Sequence, residues 1–224
     1  MKNLKRNLKN LRVSNMLIKI CGITTLEEID YINELKPDYI GFVFAESKRK
    51  VNIENGKELL KALDKDIKSV GVFRNNTKEY IIEVVKNLPL DIIQLHGDED
   101  NDFIDYLKDK TNCEIWKAVG VKSKDDLIKA NDFNVETLLL DGSNPGSGEL
   151  FPWKYLKEVD VNKKFFIAGG INEENVLEAM ENVNPYGVDT SSGVETIENG
   201  IRKKNKEKIK RLINKVREYN EREI

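Results

Sequence analysis

Short apolar runs recur along the chain, separated by stretches in which apolar side chains return about every three or four residues. The runs cover residues 17–20, 39–44, 69–73, 92–95, 115–118, 137–140, 165–168 and 187–189. Between them, Leu26, Ile29, Ile32 and Leu35, or Ile81, Val84, Val85 and Leu88, carry helical spacing. Strands alternating with helices are the signature of βα units and a parallel sheet. Eight strands, each with a following helix, predict an α/β fold of one domain, a (β/α)₈ TIM barrel over residues 16–224. The helix after the sixth strand rests on residues 153–158 alone. The last helix is expected over 203–221, where Ile209, Leu212, Ile213 and Val216 form an apolar stripe among charges. A doubly wound open sheet would need fewer strands, and no dinucleotide fingerprint follows the first strand.

Composition narrows the partners. Of the 224 residues 39% are hydrophobic and 34% charged, and Lys+Arg 37 nearly balances Asp+Glu 39, so nothing draws the chain to nucleic acid or a membrane. A small molecule is the expected partner. Cys21 and Cys113 make no disulfide framework, which with the lack of a membrane-span-length apolar run suggests a soluble, cytoplasmic protein. Residues 1–15 stand apart: Lys2, Lys5, Arg6, Lys9 and Arg12 alternate with Leu4, Leu8 and Leu11 without an acid. This basic N-terminal extension is expected to be dispensable, because Met16 sits directly before the first strand and a start there would give the whole barrel. Charge-rich turns such as Asp98-Glu99-Asp100 read as surface.

In a barrel, the residues just past the strands share one face and meet around a ligand. Cys21 ends the first strand, either as a small buried hydrophobe or as a reactive thiol. Ser47 and Arg49 follow the second strand, Arg74 and Asn75 the third, and Gln94-Leu95-His96-Gly97 ends the fourth. The Arg49 fork suits a planar anion. His96 is the only histidine, so a multi-histidine metal site is disfavoured; the ring can titrate or simply hydrogen-bond a ligand. Asp141 ends the sixth strand, as a turn cap or as a proton donor over the barrel mouth, and residues 144–148 follow as a flexible loop. Gly169-Gly170 and Ser192-Gly193 follow strands seven and eight, where backbone amides and a helix dipole can hold a phosphate.

These residues resemble the phosphoribosylanthranilate isomerase family, (β/α)₈ enzymes of tryptophan biosynthesis. The resemblance is carried, in order, by Lys19-Ile20-Cys21-Gly22-Ile23-Thr24, Gly41-Phe42-Val43-Phe44, Val70-Gly71-Val72-Phe73, Gln94-Leu95-His96-Gly97, Leu140-Asp141, Ala168-Gly169-Gly170 and Asp189-Thr190-Ser191-Ser192-Gly193-Val194-Glu195. It implies an Amadori rearrangement of N-(5-phosphoribosyl)anthranilate that needs no cofactor and no metal, in a monomer or homodimer. It makes Cys21 the general base and Asp141 the general acid, with Arg49 on the anthranilate carboxylate. Gln94 and His96 would line the substrate pocket, and Gly169, Gly170, Ser192 and Gly193 would bind phosphate. Lys48 replaces the usual proline before Arg49, Gly146-Ser147-Gly148 stands for a glycine-threonine-glycine element, and Gly200-Ile201-Arg202-Lys203-Lys204 lacks a common aspartate. The thiolate is expected to draw stabilisation from loop amides. The alternatives are another phosphosugar barrel enzyme and a catalytically silent barrel that binds a phosphorylated metabolite; the latter would need neither Cys21 nor Asp141.

Overall fold

Strand alternation sets the architecture. In β1 (Leu17–Cys21), Ile18 and Ile20 face outward into the apolar layer under the helices. Cys21 faces inward, with Val70, Val72, Ile92, Trp116, Ala118, Leu139, Phe166 and Ala168. The computed structural model describes residues 15–142 and 153–222. In it β1 is followed by β2 (Tyr39–Val43), β3 (Lys68–Phe73), β4 (Ile92–Leu95), β5 (Glu114–Gly120), β6 (Thr137–Asp141), β7 (Lys164–Ile167) and β8 (Gly187–Thr190). Each strand pairs in parallel with the next, and β8 returns to β1 to close the barrel. Two concentric apolar layers result, and every strand is buried on both faces.

The helices around it are α1 (Leu26–Leu35), α2 (Ile53–Ala62), α3 (Lys78–Asn87), α4 (Asn101–Lys110), α5 (Lys124–Ala130), α6 (Val176–Val183) and α7 (Lys206–Arg222). Short polar side chains start several of them: Thr25, Asn52, Thr77 and Asp100 each accept a hydrogen bond from a first-turn amide, worth about 1 kcal/mol per cap. Met16 is buried at the other end of the barrel. Its amide donates to Asn220 Oδ1 at 3.0 Å and its carbonyl accepts from Asn220 Nδ2 at 3.1 Å, so α7 latches the chain just ahead of β1. The basic stretch before it and residues 144–148 lie outside the described residues. No helix among the described residues is long and apolar enough to cross a membrane.

Three expectations need correction. Strand six is followed, among the described residues, by one 3₁₀ segment, Trp153–Lys157, in place of an α-helix. That stretch is too short for the hydrogen-bond ladder of a stable α-helix. The last helix starts at Lys206, because Lys203 and Lys204 belong to an antiparallel hairpin, β9 (Glu195–Glu198) and β10 (Ile201–Lys204), between β8 and α7. Finally, Glu99 is a buried brace. It accepts from Lys117 Nζ at 2.8 Å and from the amides of Asn75 and Gly97 at 2.8 and 2.9 Å, tying the loops after β3 and β4 to β5.

Aromatic rings plug the lower barrel. Tyr39, Trp116 and Phe166 sit with centroids 4.8 to 5.6 Å apart. They fit only because β8 begins with a residue lacking a side chain: a Cβ on Gly187 would lie 2.3 Å from the Phe166 ring and 2.7 Å from the Leu17 carbonyl oxygen. Gly187→Ala is therefore expected to destabilise the barrel by about 1–3 kcal/mol through overpacking. Urea unfolding would read this as a lower midpoint at unchanged slope.

Candidate active site

The carboxyl ends of the strands surround a cavity of about 430 Å³. Its wall includes Cys21, Ser47, Arg49, Arg74, Gln94, His96, Asp141, Gly169, Gly170, Ser192 and Gly193, all named from the sequence as following strands, and also Asp189, Ser191 and Arg202; Asn75, named with them, is not part of it and bonds Glu99 through its amide. A larger depression, about 830 Å³, opens at the other end around Tyr39, Lys68, Ile92 and Glu114. Those residues begin or precede strands, and that end of a barrel serves stability rather than chemistry.

Asp141 is buried at the end of β6. Its Oδ1 accepts from the Gly142 amide at 2.7 Å, and its Oδ2 lies 3.4 Å from His96 Nε2 without hydrogen-bond geometry. Gln94 Nε2 approaches His96 Nδ1 at 3.4 Å. Both His96 Nε2 and Gln94 Oε1 are buried without a hydrogen-bond partner among the described residues.

Cys21 lies across the same cavity. Burial and, less strongly, the Asp189 carboxylate push its thiol above the ordinary value, while the Lys19 ammonium and, more weakly, Lys204 pull it back. Lys19 is fully buried, and its Nζ bonds Asp189 Oδ1 at 2.9 Å across the β1–β8 seam. Ser191 donates to the Cys21 carbonyl at 2.9 Å and joins the last loop to the first strand.

Gly169 and Gly170 have φ of 78° and 69°, a left-handed pair that side chains would strain, and their amides find no acceptor among the described residues. Ser192–Val194 forms a 3₁₀ turn facing them. α6 begins six positions after Gly170, behind Asn172, whose side chain accepts from the Glu174 and Asn175 amides. A hairpin separates Gly193 from α7.

At the rim, Arg49 gives Nε and Nη2 to Glu195 at 2.6 and 2.7 Å. Lys204 Nζ reaches the same carboxylate at 2.8 Å and the Ser191 carbonyl at 3.0 Å, and Arg202 stands 3.6 Å away. Burial would raise the Glu195 pKa, but Arg49 and Lys204 outweigh it and hold it at about 2.

Known proteins with this arrangement agree with one another. The family model for N-(5'-phosphoribosyl)anthranilate (PRA) isomerase matches residues 18–215. The chain belongs to this isomerase family. An N-(5'-phosphoribosyl)anthranilate isomerase of Clostridium beijerinckii is 46% identical, across 91% of this chain and 98% of that one. The crystal structure of the Thermus thermophilus phosphoribosyl anthranilate isomerase superposes with a TM-score of 0.82 at 32% identity, covering 91% of this chain and all of that one. Another phosphoribosyl anthranilate isomerase, solved with reduced 1-(o-carboxyphenylamino)-1-deoxyribulose 5-phosphate, is 33% identical with a TM-score of 0.76, covering 91% and 99%.

Within this isomerase family frame, sequence reading missed Lys19, Asp189, Glu195, Arg202 and Lys204. Lys19 carried a signal: it interrupts an apolar strand on the same face as Cys21. Asp189, a charge inside β8, carried the same kind of signal, whereas Glu195, Arg202 and Lys204 did not, because a hairpin of charged residues is indistinguishable by pattern from the start of a charged helix. The Glu195 network implies a pH dependence. A carboxyl held at about 2 when folded and near 4.5 when free contributes on the order of 3 kcal/mol above the free value, lost as pH falls through about 2. Glu195→Gln strands Arg49 and Lys204 and should cost about 3 kcal/mol at pH 7, with the difference from wild type shrinking toward pH 2 in urea titrations.

Proposed function

We propose that the chain converts N-(5-phosphoribosyl)anthranilate to 1-(2-carboxyphenylamino)-1-deoxyribulose 5-phosphate, with Asp141 as general acid and Cys21 as general base. One observation carries the reading: a buried carboxyl and a buried thiol border one cavity together with two amide-presenting loops. Asp141, protonated, donates to the ribose ring oxygen as the C1–O bond breaks and the anilino nitrogen forms a Schiff base. The Cys21 thiolate then takes the proton from C2, and that electron pair moves to make the C1–C2 double bond of an enolamine. Tautomerisation to the C2 ketone returns a proton to C1 and completes the rearrangement.

Binding at the two ends orients C2 between the pair. The Gly169-Gly170 and Ser192-Gly193 amides take the phosphate. Arg49, held at the rim by Glu195, takes the anthranilate carboxylate with Arg202 beside it, so the carboxylate meets a pair of cations around one glutamate. His96 and Gln94 offer the sugar their unpartnered atoms. The reaction belongs to tryptophan biosynthesis, and we infer a cytoplasmic enzyme, where such free phosphorylated intermediates are made.

The loss of phosphoribosylanthranilate fluorescence tests this directly. Cys21→Ala and Asp141→Asn should each lower kcat about 10²–10⁴-fold while substrate still binds. Arg49→Ala should chiefly raise KM. Wild-type turnover in Cys21→Ala would remove the base, and a wild-type chain that binds substrate without consuming it would be a silent barrel.

A further inference from the structure

Beside Cys21 the inner face of the barrel seals in an ion pair, Lys19 with Asp189. Lys19 and Cys21 alternate onto the inner face of β1, two positions and about 6–7 Å apart. Lys19 is fully buried among Cys21's own neighbours, and Asp189, its register partner on β8, anchors the ammonium at 2.9 Å. A buried ion pair costs several kcal/mol of desolvation per ion, and apolar side chains of similar volume commonly stabilise a fold as well or better.

We propose that Lys19 is a positioning residue for the isomerisation: its ammonium, oriented by Asp189, stabilises the Cys21 thiolate from below while the substrate occupies the cavity above. The proposal rests on Cys21 being the base. Four charged groups act on the thiol: Lys19 from β1, Asp189 from β8, Lys204 from β10 and Arg49 from the loop after β2. Lys19 has the strongest pull toward the thiolate. Although burial opposes its charge, Asp189 and Cys21 keep the Lys19 pKa above the ordinary lysine value, so it stays cationic through the working range. Lys19 is also denied to solvent, so salt screens it little.

The test is the pH dependence of iodoacetamide alkylation, read peptide by peptide so that Cys21 is separated from Cys113. Lys19→Met should raise the Cys21 midpoint by about one unit or more, slowing its alkylation about tenfold at a fixed pH below that midpoint. The acidic limb of kcat should shift by the same amount with KM little changed, whereas Lys19→Arg should restore the limb. A folded Lys19→Met chain with the wild-type Cys21 profile overturns the proposal. Should Lys19→Met fail to fold, the coupling is read in reverse: Cys21→Ser should lower the Lys19 ammonium pKa seen by NMR, and an unmoved lysine overturns it. Wild-type turnover in Cys21→Ser would instead sink the assignment of the base and leave the Lys19–Cys21 coupling standing.

Discussion

Parallel pairing of β1 with β8 is the constraint on which the rest depends. It joins residues 170 positions apart, putting Lys19 against Asp189 and the Ser191 hydroxyl against the Cys21 carbonyl. Without that seam the first strand would be an open edge, and the thiol would face solvent rather than a carboxyl across a cavity. Closure is driven by burial on both faces of the sheet: an inner layer of rings and small aliphatics, an outer layer under the helices. The cost of closure is that any polar group sealed inside must bring its partner, which Lys19 and Lys117 do with Asp189 and Glu99.

Of the three buried lysines, Lys19 and Lys117 do different work. Lys117 and Glu99 brace the loops after β3 and β4, and so hold the chain leading into and out of His96. Lys19 and Asp189 lie inside the barrel under the mouth. Above them the β9–β10 hairpin adds a third buried cation, Lys204, and pins it between Ser191 and Glu195. The Lys204 amide also donates to Glu28 at 2.9 Å, the same glutamate that closes the capping box of α1. The cavity rim is thereby fastened to the first helix, and Arg49 is oriented by a carboxylate arriving from the far end of the chain.

The eight strands were legible in the amino-acid sequence because burial on both faces leaves continuous apolar runs, and the helices because each needs one apolar stripe and a polar cap. Cys21, Arg49, Gln94, His96, Asp141 and the glycine loops were legible for a related reason: in a barrel, position after a strand is position in space. That rule carries no information about charge partners. The hairpin was hidden inside a charged run, Glu99 was hidden in an acidic turn, and two of the charges acting on Cys21, Asp189 and Lys204, come from strands that meet it only on closure.

By itself, then, the order of apolar and polar residues determined the barrel and which side chains reach its mouth, since both follow from local periodicity and chain order. The tertiary structure alone decided what each of those side chains faces. Electrostatic interactions act through space between residues far apart in the chain, and Lys19 with Asp189, or Arg49 with Glu195, become neighbours only when the last strand returns to the first.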